Sequence, residues 1–214
     1  INYMTKNLFK IILILISILI FFISYLSIFG IKTDKFNELI KSQVNKQDKR
    51  LDIDLKNVFI KLNIKKKSFS LNSKNIDIFV LKERQEIANV DVLVSLVSLI
   101  KQDKKIKKII INSKEGEIKN LLKFIRTYKV NIPTLYLENT VKKGKIIYDI
   151  IVDSNKKSFD KIKITGKLKE LELNFLGKKR IENASLNFSY ADKNLKINNI
   201  KFNYENINFF SKNI

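Results

Sequence analysis

Glu170 and Glu172 stand two residues apart in an alternating stretch, and on a β-strand that spacing sets both carboxylates on one face, where a pair can divide acid and base roles. Glu115 and Glu117 repeat the spacing ahead of a helical pattern. No further chemistry gathers around either pair. The sequence holds no His and no Cys, which removes the usual zinc sites, thiol nucleophiles and the commonest general base. Its 5 glycines, at 30, 116, 144, 166 and 177, are too scattered to cradle a phosphate, and no GxSxG elbow occurs. A solvated strand face accounts better for Glu170 and Glu172 than a catalytic pair does. No catalytic residue, metal site or cofactor is expected, and the chain reads as a non-enzyme.

Charge offers a second kind of chemistry. The 42 Lys+Arg against 21 Asp+Glu leave a formal +21, which points to nucleic acid or an anionic surface. Phe175, Phe188, Tyr190, Phe202, Tyr204, Phe209 and Phe210 are interleaved with Lys, as in platforms for single-stranded nucleic acid. Arginine, the residue for bidentate base contacts, occurs only at 50, 84, 126 and 180. Abundant Lys, Ile and Asn together are what an AT-rich genome encodes whatever the protein does. The charge is therefore read mainly as codon bias, no nucleic acid is expected, and the aromatic residues are assigned to a core or groove.

The elements that position these residues begin with an anchor. From Ile11 to Ile31 no residue is charged, and only Ser17, Ser24, Ser27 and Tyr25 interrupt Ile, Leu and Phe. At about 1.5 Å per residue the run spans roughly 30 Å, a hydrocarbon core. It is longer than a typical signal-peptide core, and no small-x-small cleavage site follows, so a retained transmembrane helix is expected rather than a cleaved leader or a buried core helix. Residues 1–32 are read as a cytoplasmic tip and anchor in the bacterial inner membrane, and 33–214 as a single periplasmic domain. Strand pattern running almost to Ile214 reads as a fragment of a longer β protein.

Beyond the anchor, Thr33 and Asp34 can cap a helix carrying Phe36, Leu39, Ile40 and Val44 on one stripe, read as a plug at the end of a sheet in preference to a membrane-surface helix. Alternation then takes over: Ile53 and Leu55, a slip at Lys56–Asn57, and Val58, Ile60, Leu62 and Ile64. Phe69 and Leu71 are followed, after Asn72 to Asn75, by Ile76, Ile78 and Val80. The slips read as bulges or tight turns. Ile87–Val94 is a strand, Ser95–Ile100 a short helical turn, and Ile106 with Ile109–Ile111 a buried strand bounded by the basic linker Lys101–Lys108. A second helix opens near Gly116 with Ile118, Leu121, Leu122 and Ile125 at helical spacing, and Pro133 closes this region. Only strands are expected afterwards: 135–137, 146–152, 159–168, 171–175, 181–190 and 195–209. Gly144, Gly166, Gly177 and Ala191–Asn194 are assigned to turns. Short connections predict an antiparallel meander with one apolar face, a β-rich α+β fold.

The order of anchor, helix at 36–40, strand pairs at 51–64 and 69–80, and strands from Ile87 to Ile111 resembles the N-terminal region of the AsmA-like superfamily, with its TamB and YhdP branches, and is similar to chorein-type bridge lipid-transfer proteins. IANVDVLVSLVSLIKQDKKIKKIIINS resembles that family's strand, Ser-Leu turn and strand, and GEIKNLLKFIR its following helix. The resemblance implies a curved antiparallel sheet forming a groove with an apolar concave face, along which phospholipid or another acyl-chain lipid moves between inner and outer membrane in support of outer-membrane assembly. The groove residues would be Ile76, Ile78, Val80, Val92, Val94, Ile162, Ile164, Leu171, Leu173, Phe175, Leu186, Phe188, Tyr190, Phe202 and Tyr204. An outer-membrane or envelope protein is the partner this role implies. Two alternatives stand beside it. One is an LptC-like lipopolysaccharide-transport component, against which the helix at 116–126 speaks. The other is a non-transporting envelope scaffold or tether.

Overall fold

The computed structural model describes residues 2–35, 37–65, 67–96, 106–155, 158–175, 180–205 and 207–213. The apolar run forms α1 (Asn2–Ile28), of which Lys10–Ile28 is long and apolar enough to cross a membrane. The helix ends where the amides of Phe29 and Gly30 both donate to the Tyr25 carbonyl, at 2.8 and 3.2 Å. Gly30 takes φ +73, and a Cβ there would stand 2.6 Å from Phe59 Cε1 and 2.7 Å from the Ile60 carbonyl oxygen. Glycine is needed twice over, for the left-handed turn and for the close approach.

The chain continues through β1 (Ile31–Thr33), α2 (Asn37–Gln47), β2 (Leu51–Asp54), β3 (Val58–Asn63), β4 (Ser68–Val80), β5 (Glu83–Ser95), β6 (Ile106–Ser113) and β7 (Gly116–Glu117). Then come α3 (Ile118–Tyr128), α4 (Ile132–Thr140), β8 (Val141–Asn155), β9 (Ser158–Asn174), β10 (Arg180–Ala191), β11 (Asn194–Tyr204) and β12 (Ile207–Asn213). All strands join one open antiparallel sheet in the order β1-β3-β4-β5-β6-β8-β9-β10-β11-β12, with β2 also on β4 and β7 on β8. The fold is the β-rich antiparallel one expected.

Long strands twist, and this sheet keeps its apolar set on one side through bulges. Asn75 in β4 (φ 52), Glu170 in β9 (φ 52), Asn183 in β10 (φ 51) and Asn199 in β11 (φ 54) are left-handed residues inside strands. Each lets apolar residues three apart, such as Leu168 and Leu171, share a face where strict alternation would separate them. The slip at 72–75 is thus the left-handed Asn75 inside β4, with the β4–β5 register unbroken across it, so the two strands expected there are one. Likewise 159–168 and 171–175 are one strand, β9, bulged at Glu170.

Other expectations are corrected by local chemistry. Leu135–Leu137 is helix, because Asn131 Oδ1 accepts from the Thr134 amide at 2.9 Å and caps α4, with Pro133 in the first turn where a missing N–H costs nothing. Three short helices therefore follow the anchor among the described residues, where two were expected. The 195–209 segment breaks at Glu205 (φ 47) into β11 and β12. Gly144 and Gly166 lie within β8 and β9 and form no turn. Asp192 and Lys193, at φ 50 and 64, make the β10–β11 hairpin turn as expected. Phe36, Gly177 and the helical turn and linker at 97–105 lie outside the described residues.

Helices α2 and α3 lie on one face of the sheet. Ile40 of α2 packs on Leu55, Ile76 and Ile87, which makes α2 the sheet plug that was expected. Ile118 and Leu122 of α3 join Val141, Ile146, Leu171 and Ala184 in the second core cluster. Arg50 ties the two regions together: it pairs with Asp48 at 2.7 Å, donates to the Tyr128 carbonyl at 3.0 Å and lies 5.3 Å from the Tyr128 ring centre.

Candidate functional site

Cross-strand register assigns the apolar residues to a face. Phe69 and Leu71 of β4 stand opposite Val94 and Val92 of β5, which stand opposite Ile106 and Ile109 of β6. Ile109 and Ile111 oppose Val152 and Ile150 of β8, and these oppose Ile162 and Ile164 of β9. Ile164 opposes Tyr190 of β10, and Phe188 and Tyr190 oppose Ile197 and Leu195 of β11. Opposed residues share a face, so one apolar band crosses β4, β5, β6, β8, β9, β10 and β11. At about 4.8 Å per strand it is roughly 30 Å wide.

The groove residues expected from sequence fall on this face, but not all are open. Ile76 (1%), Val80 (0%) and Leu171 (5%) are closed core, with no surface left for a ligand. Ile78 packs on the α2-side cluster, and Leu173, Phe188 and Phe202 pack on the α3-side cluster. Phe175 stands just past the end of β9 and is 36% exposed. Val92, Val94, Ile164, Leu186, Phe188, Phe202 and Tyr204 are half-buried, Tyr190 is exposed, and Ile162 is 43% exposed. The open part of the face is thus the end of the sheet away from α2 and α3. Leu71, Ile109, Ile150, Val152 and Ile197 belong to it and were missed. Their alternation is visible in sequence, but the pairing that sets them beside the others is not.

Aromatic residues shape the band. A Cβ on Gly166 would stand 2.5 Å from Phe188 Cζ, so the Phe188 ring occupies the gap that glycine leaves in the neighbouring strand. Phe202 and Phe209 stack with ring centres 4.9 Å apart and planes at 13°. Tyr148, opposite Gly166, has its hydroxyl pushed up to about 12 by burial.

The opposite face is mixed: charged and amide side chains stand there with Leu93, Ile110, Ile147 and Ile151 among them. Asn72 donates to Asp91 at 2.6 Å, Asn89 donates to the other Asp91 oxygen at 2.7 Å, and Asn112 donates to Asp149 at 2.7 Å, a ladder of side-chain bonds across β4, β5, β6 and β8. Glu172, one of the two carboxylates singled out at the start, lies between Lys143 at 2.6 Å and Arg180 at 2.9 Å. Hydrogen bonds from Lys143 and then Arg180 hold its carboxyl below the usual range. Glu170 pairs with Lys145 at 3.3 Å. Each acid is bound to cations, with no free acid–base partner beside it. No group of three or more metal-ligating side chains occurs among the described residues. No family model, curated protein or solved structure matches the chain.

Proposed function

We propose that this chain is a non-enzymatic envelope protein that carries phospholipid acyl chains along the open apolar face of its sheet. On this reading α1 crosses the bacterial inner membrane, the sheet stands in the periplasm, and lipid is guided toward the outer membrane, as in the AsmA-like proteins the sequence resembles. One observation carries the reading: an apolar band roughly 30 Å wide, with Val92, Val94, Ile162, Ile164 and Phe188 on one face, lies partly in solvent. It runs about twice the half-thickness of a hydrocarbon core, roughly 15 Å, so a stretched acyl chain fits across it. A band that size asks for an apolar cover in a protein that works in water.

A scaffold reading has one observation of its own. On β12, Phe209 is 41% and Phe210 65% exposed, apolar surface that a protein partner would cover. A photo-crosslinking residue at Ile164, activated in cells of a Gram-negative host, separates the two. Lipid adducts support the conduit; adducts to protein alone favour the scaffold.

A further inference from the structure

A second feature lies on the face opposite the apolar band, next to the end of α1. Lys32, Lys56 and Lys74, with Asn57, Asn75 and the ring of Phe59, line a cleft of about 380 Å³. The lysines come from separate segments: Lys32 from β1, Lys56 from the break between β2 and β3, and Lys74 from β4 beside the left-handed Asn75. None of the three makes an ion pair among the described residues, and the lining brings them together around one cleft. The nearest acid of the polar ladder, Asp91, already accepts from Asn72 on one oxygen and Asn89 on the other. The cleft thus concentrates positive charge with amide donors and lacks an anion of its own.

Its position is fixed by the anchor. Lys32 pairs in register with Phe59, and Phe59 is also the residue against which Gly30 closes the turn after α1. No flexible linker intervenes, so the cleft holds a set distance from the helix end. The 19 residues Lys10–Ile28 span about 28 Å of the roughly 30 Å hydrocarbon core. Tyr25 and Phe29, with ring centres 5.3 Å apart, fall at the end of that span, where aromatic side chains settle at an interface. Lys32 lies four residues past Ile28, at most about 13 Å from the helix end, in or just outside the headgroup layer.

We propose that this cleft binds the phosphate of an anionic phospholipid headgroup in the membrane that α1 enters. The three ammonium groups supply charge, Asn57 and Asn75 supply amide donors, and Phe59 supplies an apolar wall toward the bilayer. The site rests on α1 crossing the membrane. It does not rest on lipid carriage along the apolar band, which is on the opposite face.

The test uses the full chain in phosphatidylcholine nanodiscs with phosphatidylglycerol as the minor lipid, and native mass spectrometry of the ejected protein. Nanodisc incorporation is scored separately, so that a failure of α1 to insert is not mistaken for a failure of the cleft. Enrichment of phosphatidylglycerol adducts over phosphatidylcholine adducts is expected. It should fall about tenfold or more in the Lys32→Gln/Lys56→Gln/Lys74→Gln variant, since each lysine near an anionic surface is worth about fivefold. A Lys161→Gln/Lys163→Gln/Lys167→Gln control, on exposed lysines of β9, should keep the enrichment. Equal enrichment in the cleft variant, or an equal fall in both variants, would overturn the assignment. Capture of inorganic phosphate in place of phosphatidylglycerol would make the source a soluble anion and overturn it as well.

Discussion

Phe188 fills the place where Gly166 has no side chain: on adjacent strands, a Cβ at 166 would come within 2.5 Å of Phe188 Cζ and 2.8 Å of the Ile147 carbonyl oxygen. The pair anchors the middle of the apolar band. Gly166→Val should therefore cost about 1–3 kcal/mol through overpacking, read as a lowered denaturant midpoint in mild detergent. Adding Phe188→Ala should recover part of that loss, because the ring makes one part of the clash and the Ile147 carbonyl the other. A double variant no better than the sum of the two singles would show that the ring and the glycine are not coupled.

Helix α3 covers one part of the same face through Ile118 and Leu122, both buried. Leu122→Ala should cost about 2–5 kcal/mol from lost burial and a cavity. Ile125→Ala on the same helix, where the side chain is 38% exposed, should cost far less. Similar losses at both positions would contradict the packing of α3 on the sheet.

Much of this arrangement was legible in the residues. The apolar stripe of α3 and the slip in alternation near Asn75 announced a helix and a left-handed irregularity, because each changes the period of a pattern that local sterics enforce. The second helix α4 was not legible: Leu135–Leu137 is short and apolar, and only the Asn131 cap decides for helix. Which candidate groove residues stay open was also hidden. Ile76 and Ile162 look alike in alternation, yet one lies beneath α2 and the other is 43% exposed, a difference that depends on where the helices land. The lysine cleft had no signal in sequence, since register alone brings Lys32 beside Phe59.

Glu172 gives the fold an acid-sensitive contact. Its folded-state carboxyl is held below the ordinary 4.5 by Lys143 and Arg180, so its stabilisation is present above about pH 4.5 and is lost as pH falls below that value. Wild type and Glu172→Gln should differ in denaturation midpoint at neutral pH, and the gap should close on acidification. A gap that stays constant below pH 4.5 would show that the contact is not ionic.

Tyr148 acts at the other end of the pH scale. Burial raises its hydroxyl from 10 to about 12, so the stabilising preference for the neutral form is complete below pH 10 and is lost between 10 and 12 as the unfolded state ionises first. Tyr148→Phe removes the titration and should flatten the alkaline fall in stability relative to wild type. Ultraviolet titration of phenolate in the folded protein checks the same point: Tyr204, raised by its hydrogen bond with Glu205, also ionises late, and Tyr148→Phe should remove one of the two late steps.

Lipid carriage is tested most directly by native mass spectrometry of the full chain, extracted gently from a Gram-negative host and compared with Ile162→Asp. Ile162 is 43% exposed, so a charge there spares the core, and α1 with its surrounding lipid is unchanged. The expected result is wild-type chain carrying more phospholipid than the folded Ile162→Asp variant, which keeps only the lipid at α1. Wild-type chain free of lipid, or an equal amount of lipid on both proteins, would contradict a lipid-bearing apolar face.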